Sequence, residues 1–143
     1  MRFMVMIKAN QDTESGAMPD EQLLADMGKY NEELVNAGVM QAGEGFHPSS
    51  KGVRVKFDGD KRTVENGPFP LNEVFCGFWL WKVRSRDEAI EWLKKCPNPT
   101  GAQATIELRQ VFEAEEFGAE FTPELREQEE RLREQIEQQK KAS

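Results

Sequence analysis

Hydrophobic positions divide this chain into short stretches of two kinds. In Arg2–Ala9 (RFMVMIKA), Phe3, Val5 and Ile7 point one way and Met4 and Met6 the other, the pattern of a strand apolar on both faces. Val74–Val83 repeats this over a longer run. Phe75, Gly77, Trp79, Trp81 and Val83 form one alternating set, and Val74, Cys76, Phe78 and Leu80 the other. Between them, Leu23, Leu24, Met27, Asn31, Leu34 and Val35 recur at helical spacing. They predict a helix over Asp20–Ala37, with Pro19 suited to a first helical position and Gly38 to the C′ stop. Gly28 inside that helix costs about 1 kcal/mol against alanine, which predicts close packing on the sheet.

The remaining elements follow from punctuation. Asn10–Met18 reads as a polar loop and Val39–Gly43 as a short strand. Val53–Phe57 alternates, with Val53, Val55 and Phe57 inward, and Asp58-Gly59 turns it into a return strand over Lys61–Glu65. Asn66-Gly67-Pro68-Phe69-Pro70 is a turn. Ser85-Arg86-Asp87-Glu88 is a capping box for a helix whose stripe is Ala89, Ile90, Leu93 and Cys96, ended by Pro97 and Pro99. Ala104–Phe112 is the last main strand, with Ile106, Leu108 and Phe112 on one face and Thr105, Glu107, Arg109 and Val111 on the other. After an acidic linker, Glu113–Glu120, Thr122-Pro123-Glu124 opens a helix to about Lys140 with a thin stripe of Leu125, Leu132 and Ile136. That helix is either a solvated tail or docked on a neighbouring subunit.

The order β-α-β-β-(β)-β-α-β, then α, predicts an α+β fold, a ferredoxin-like sheet with helices on one face, an extra hairpin and a C-terminal helix. A chain of 143 residues has room for one core. Two strands apolar on both faces then need a second cover, and pairing two such sheets into a barrel supplies it. The expectation is a symmetric homodimer.

Composition narrows the partners. Net charge is −7, which argues against nucleic acid and anionic membranes, since both need basic surface. Phe3–Ile7 is too short for a signal peptide, and no run reaches the roughly 20 apolar residues of a membrane span. Cys76 and Cys96 read as buried free thiols, the alternative being a disulfide or a reactive pair. The expected setting is cytoplasmic.

Ala42-Gly43-Glu44-Gly45-Phe46-His47-Pro48, Asn66-Gly67-Pro68-Phe69, Gly77-Phe78-Trp79, Asp87–Trp92 with Cys96-Pro97, and Glu107–Phe112 together resemble the YCII-related family, in the branch named for its DGPF motif. The resemblance implies a ferredoxin-like domain over residues 1–117, a charged C-terminal helix over 118–143, and a dimeric α/β barrel. Members are mostly uncharacterised, and the resemblance extends to some relatives on this fold that handle chlorinated aromatic or lactone-like molecules or act as cofactor-independent oxygenases. Asn66 stands where the motif has aspartate, and an amide cannot transfer a proton in that way. The better-studied branch pairs a histidine on its first helix with an aspartate after its second. The matching places here are Met27 and the run Cys96-Pro97-Asn98-Pro99.

Candidate chemistry centres on His47, the only histidine. With Glu44 three residues before it, it reads as a general base oriented by a carboxylate, or as a surface-loop histidine. Arg109 and Glu107 share a strand face as a buried ion pair or a clamp for a substrate carboxylate, or as an edge pair facing water. Trp79 is a pocket wall for a flat molecule, or core or dimer interface. Glu73 and Asn66 flank the turn as further substrate contacts, or as structural residues. One histidine and two distant cysteines give no metal-ligand spacing, and no cofactor is expected. The function this supports is binding of a small organic acid or aromatic compound, with or without cofactor-independent catalysis. The alternative is a non-catalytic ligand-sensing or interaction protein.

Overall fold

The computed structural model describes residues 1–101 and 103–143. It divides into two compact units, Met1–Val111 and Phe112–Ser143. The first unit contains β1 (Arg2–Lys8), α1 (Gln11–Glu14), α2 (Glu21–Asn36), β2 (Met40–Gly45), β3 (Val53–Asp58), β4 (Lys61–Asn66), β5 (Phe75–Lys82), α3 (Arg86–Lys94) and β6 (Ile106–Gln110). The four strands β2, β5, β1 and β6 lie in that order, every neighbouring pair antiparallel. This is a ferredoxin-like sheet, as the element order predicts. Strands β3 and β4 form a separate two-stranded hairpin.

The core lies on one side of the sheet. Phe3 and Val5 from β1, Trp79 and Trp81 from β5, and Val39 and Val83 beside the strands are buried with Tyr30 and Leu34 of α2 and Ala89 of α3. Each fully buried large side chain, Trp81, Leu34 and Val5, contributes about 1.5–3 kcal/mol by leaving water. Helix α2 begins where the Asp20 carboxylate accepts the backbone N–H of Leu23, so Asp20 is the N-cap and Pro19 lies outside the helix. It ends at Gly38, whose φ of +72° suits glycine.

Several local expectations are corrected. Gly28 is exposed and a Cβ there would meet nothing within 4 Å, so it is not a close-packing site. Leu24 and Val35 lie on the exposed side of α2 because the helix buries a narrower stripe, Tyr30 and Leu34, flanked by Met27. The Asn10–Met18 loop contains α1, closed by Asn10 and Thr13 in a reciprocal capping box. The hairpin loop is Gly59-Asp60 rather than Asp58-Gly59, since Asp58 pairs with Lys61 and only Gly59 takes a positive φ. Val53, Val55 and Phe57 are exposed rather than inward, so the described residues leave that face of the hairpin largely uncovered. Glu88 caps the backbone of Arg84 rather than of Ser85, although the Ser85 hydroxyl does accept the Glu88 N–H. Strand β6 stops at Gln110, and Phe112 is exposed.

The second unit is a three-residue turn of 3-10 helix, Ala114–Glu116, followed by α4 (Pro123–Ala142). Thr122 caps α4 through the Leu125 N–H. Phe112, Phe117 and Phe121 pack in sequence as tilted rings, with centroids 5.4 and 5.5 Å apart. No residue of α4 is buried.

Candidate functional site

Strand register fixes what the side of the sheet away from α2 and α3 presents. One row across it is Glu44, Phe78, Met6 and Glu107; the next is Ala42, Leu80, Met4 and Arg109. The four central side chains, Met4, Met6, Phe78 and Leu80, are half-buried and belong to no core cluster. At the β6 border the Arg109 guanidinium is 3.3 Å from the Glu107 carboxylate, with 72% of its side chain exposed. An ion pair this open contributes little to stability, about 0–1 kcal/mol. Among the described residues the Arg109 guanidinium has no other side-chain partner, so its remaining N–H donors can take a planar anion. At the opposite border the Glu44 side chain has no hydrogen-bond or ion-pair partner among the described residues. Phe46 follows it and leans on Phe78 at 5.8 Å between centroids.

Trp79 lies on the other side of the sheet from Arg109, so the two do not converge. Its ring sits edge-on to Tyr30 at 5.8 Å and its indole N–H donates to Asn31 Oδ1 at 3.0 Å. Trp81 is fully buried and its Nε1 has no acceptor among the described residues. Such an orphaned donor costs about 1–3 kcal/mol. Gly43 lies beside Trp79 on β2, where an added Cβ would fall 2.6 Å from Trp79 Cδ1. These contacts make Trp79 a core residue held by α2.

The loops at the end of the sheet where β1 finishes and β5 starts gather around Ser49. The Glu14 carboxylate accepts the Ser49 backbone N–H at 2.9 Å and also the Ser49 hydroxyl hydrogen. Ser49 Oγ accepts the Phe69 N–H at 3.0 Å. Gly67 packs so closely here that a Cβ would fall 1.7 Å from the Ser49 carbonyl oxygen. Thus α1, the Phe46–Gly52 loop and the Asn66–Pro70 turn form one assembly, in which the Gly67-Pro68 bond is cis. Glu73 is 3.0 Å from Arg54, whose guanidinium lies 3.9 Å over the Phe69 ring. Asn66 ends β4 and His47 is exposed in the loop, neither with a side-chain partner among the described residues. The structure therefore groups Glu73 and Asn66 with the turn, Glu44 and Arg109 with the open face, and Trp79 with the core.

Sequence reasoning assigned no role to Glu14, Ser49 or Arg54, and read Asn31 only as a position in the helical register. Asn31 carried a signal, a polar residue inside an apolar helical register. Glu14 and Ser49 are 35 residues apart and carried none.

Burial pushes the Cys96 thiol up to about 11 and raises that of Cys76 as well. Tyr30 is raised too, chiefly by burial, with Cys96 and Glu33 adding to it, and its hydroxyl donates to the Trp92 carbonyl at 2.6 Å. All three stay protonated at neutral pH. Among the described residues no group of three or more His, Cys, Asp or Glu side chains is arranged to hold a metal ion, and no helix is long and apolar enough to cross a membrane.

The family model for the YCII-related domain matches residues 1–115. The chain belongs to the YCII-related family. A search of the curated proteins finds no match. The YCII-related match spans the whole sheet, both core helices and the hairpin, and stops before α4.

Proposed function

We propose that this YCII-related chain is a homodimeric small-molecule-binding protein of the DGPF branch. In this reading the open sheet faces of two copies meet in a barrel and hold a small organic acid, with Arg109 as the anchor for its carboxylate. The observation that carries it is the half-buried apolar floor of Met4, Met6, Phe78 and Leu80 beside an exposed guanidinium. An apolar floor left to water is an aggregation liability, and a flat organic acid needs both a floor and a charge. The two free thiols fit a reducing, cytoplasmic setting.

Thermal unfolding with a panel of aromatic and aliphatic carboxylic acids tests it. A binder at 100 times its Kd stabilises by about 2.7 kcal/mol. Arg109→Gln should abolish that shift while leaving unliganded unfolding unchanged. An equal shift in Arg109→Gln removes Arg109 as the anchor.

A second reading concerns what happens to the ligand. Glu44 and His47 are the proton-transfer candidates, with Glu73 and Asn66 as further contacts at the turn. Because His47 faces solvent without a side-chain partner among the described residues, binding without turnover is the reading it favours, as in a ligand sensor. Recovery of unchanged ligand after prolonged incubation supports that; a product lost in Glu44→Gln and His47→Ala supports catalysis.

A further inference from the structure

The extra hairpin has two unlike faces. Register places Val53, Val55, Phe57, Val64, Arg62 and Asn66 on one of them. There Val53, Val55, Phe57 and Val64 are 59, 45, 71 and 62% exposed. The opposite face is engaged locally: Lys56 pairs with Glu65 at 2.8 Å, and Arg54 is tied to Glu73 and Phe69. At the base, the Gly67 N–H donates to the Gly52 carbonyl at 2.9 Å. Two strands alone are marginal in water, so a hairpin with a bare apolar face needs a cover. The charge that this face carries is Arg62. Its guanidinium lies 4.4 Å over Phe57 and donates to the carbonyls of Gly59 and Lys61, with no carboxylate partner among the described residues. The border of the open sheet face offers the complement: the Glu44 carboxylate, with Ala42, Phe46 and Phe78 around it.

We propose that the hairpin is a docking arm for a second copy of the chain. It lays its apolar face along the β2 border of the partner's open sheet, and Arg62 meets the partner subunit's Glu44. This rests on the homodimer reading above and adds to it which segment seals the rim. Two-fold symmetry makes the contact twice, so each arm closes one side of the space between the sheets. Opposite charges brought together at such a rim also set the register of docking.

Sedimentation equilibrium of the full chain tests the arm. Phe57→Asp and Val64→Asp change exposed residues, so circular dichroism should show an unaltered fold while the dimer dissociates on the order of tenfold more readily or worse. Arg62→Glu and Glu44→Arg should each weaken the dimer, and the double reversal should restore it. If Leu80→Asp breaks the dimer while the hairpin variants dimerise like the wild type, the sheet-to-sheet reading stands and the arm is overturned. A double reversal that gives no rescue overturns the arm as well, and the hairpin face then serves a different protein. A wild-type chain monomeric at all concentrations overturns both.

Discussion

Glycine-to-alanine substitutions at two positions should shift stability in opposite directions. At Gly67 the new methyl would lie 1.7 Å from the Ser49 carbonyl oxygen, a backbone atom that cannot turn aside. Gly67→Ala should cost about 3 kcal/mol in urea unfolding, as overpacking does. Gly28 sits in open space in mid-helix, and Gly28→Ala should stabilise by about 0.5–1 kcal/mol. At Ser49 three hydrogen bonds converge. Ser49→Ala leaves the Phe69 N–H without its acceptor and should cost about 1–3 kcal/mol. Among the thiols, burial holds Cys96 near 11. Its alkylation by iodoacetamide, followed by mass spectrometry, should still be accelerating at pH 10, where an ordinary exposed thiol has levelled off.

Helix α3 shows how an element depends on one carboxylate. The Arg84 backbone N–H, and then the Arg84 guanidinium, hold the Glu88 carboxyl below its ordinary value of 4.5. A group depressed on folding adds stability above its unfolded pKa and loses it as pH falls through the folded one. The gap in melting temperature between wild type and Glu88→Gln should therefore be full at pH 7 and close below pH 4.5. The capping motif here was legible in Ser85 and Glu88, because caps are local. The partner of Glu88 was not, since the carboxylate chose the N–H one residue earlier. Strands β1 and β5 were legible in their two-faced alternation, and their phase is the one observed. The hairpin misled for a physical reason: period-two alternation says which residues share a face but not whether anything covers it. The same limit applied to the site, where Trp79 and Arg109 were each visible but their placement on opposite sides of the sheet needed the register.

For the whole molecule, the buried core residues fall between Phe3 and Ala89, and the family match ends at residue 115. A chain ended after residue 115 should keep the cooperative calorimetric unfolding of the sheet and its two helices, with an unchanged midpoint to within a few degrees. Loss of cooperative unfolding would make the second unit part of the fold. Element order, together with the motif run from Ala42 to Phe112, sufficed to read the architecture and the family. Contacts between residues far apart in sequence, such as Glu14 with Ser49, left no periodic trace.

All three tryptophans, Trp79, Trp81 and Trp92, belong to the layer between the sheet and its helices. Trp79 and Trp81 are 5.8 Å apart between centroids, close enough for their transitions to couple. Intrinsic fluorescence of this protein is thus a gauge of the helix side alone. An aliphatic acid seated on the other side of the sheet would touch no indole, so a small emission change in a quenching titration is the result expected for it.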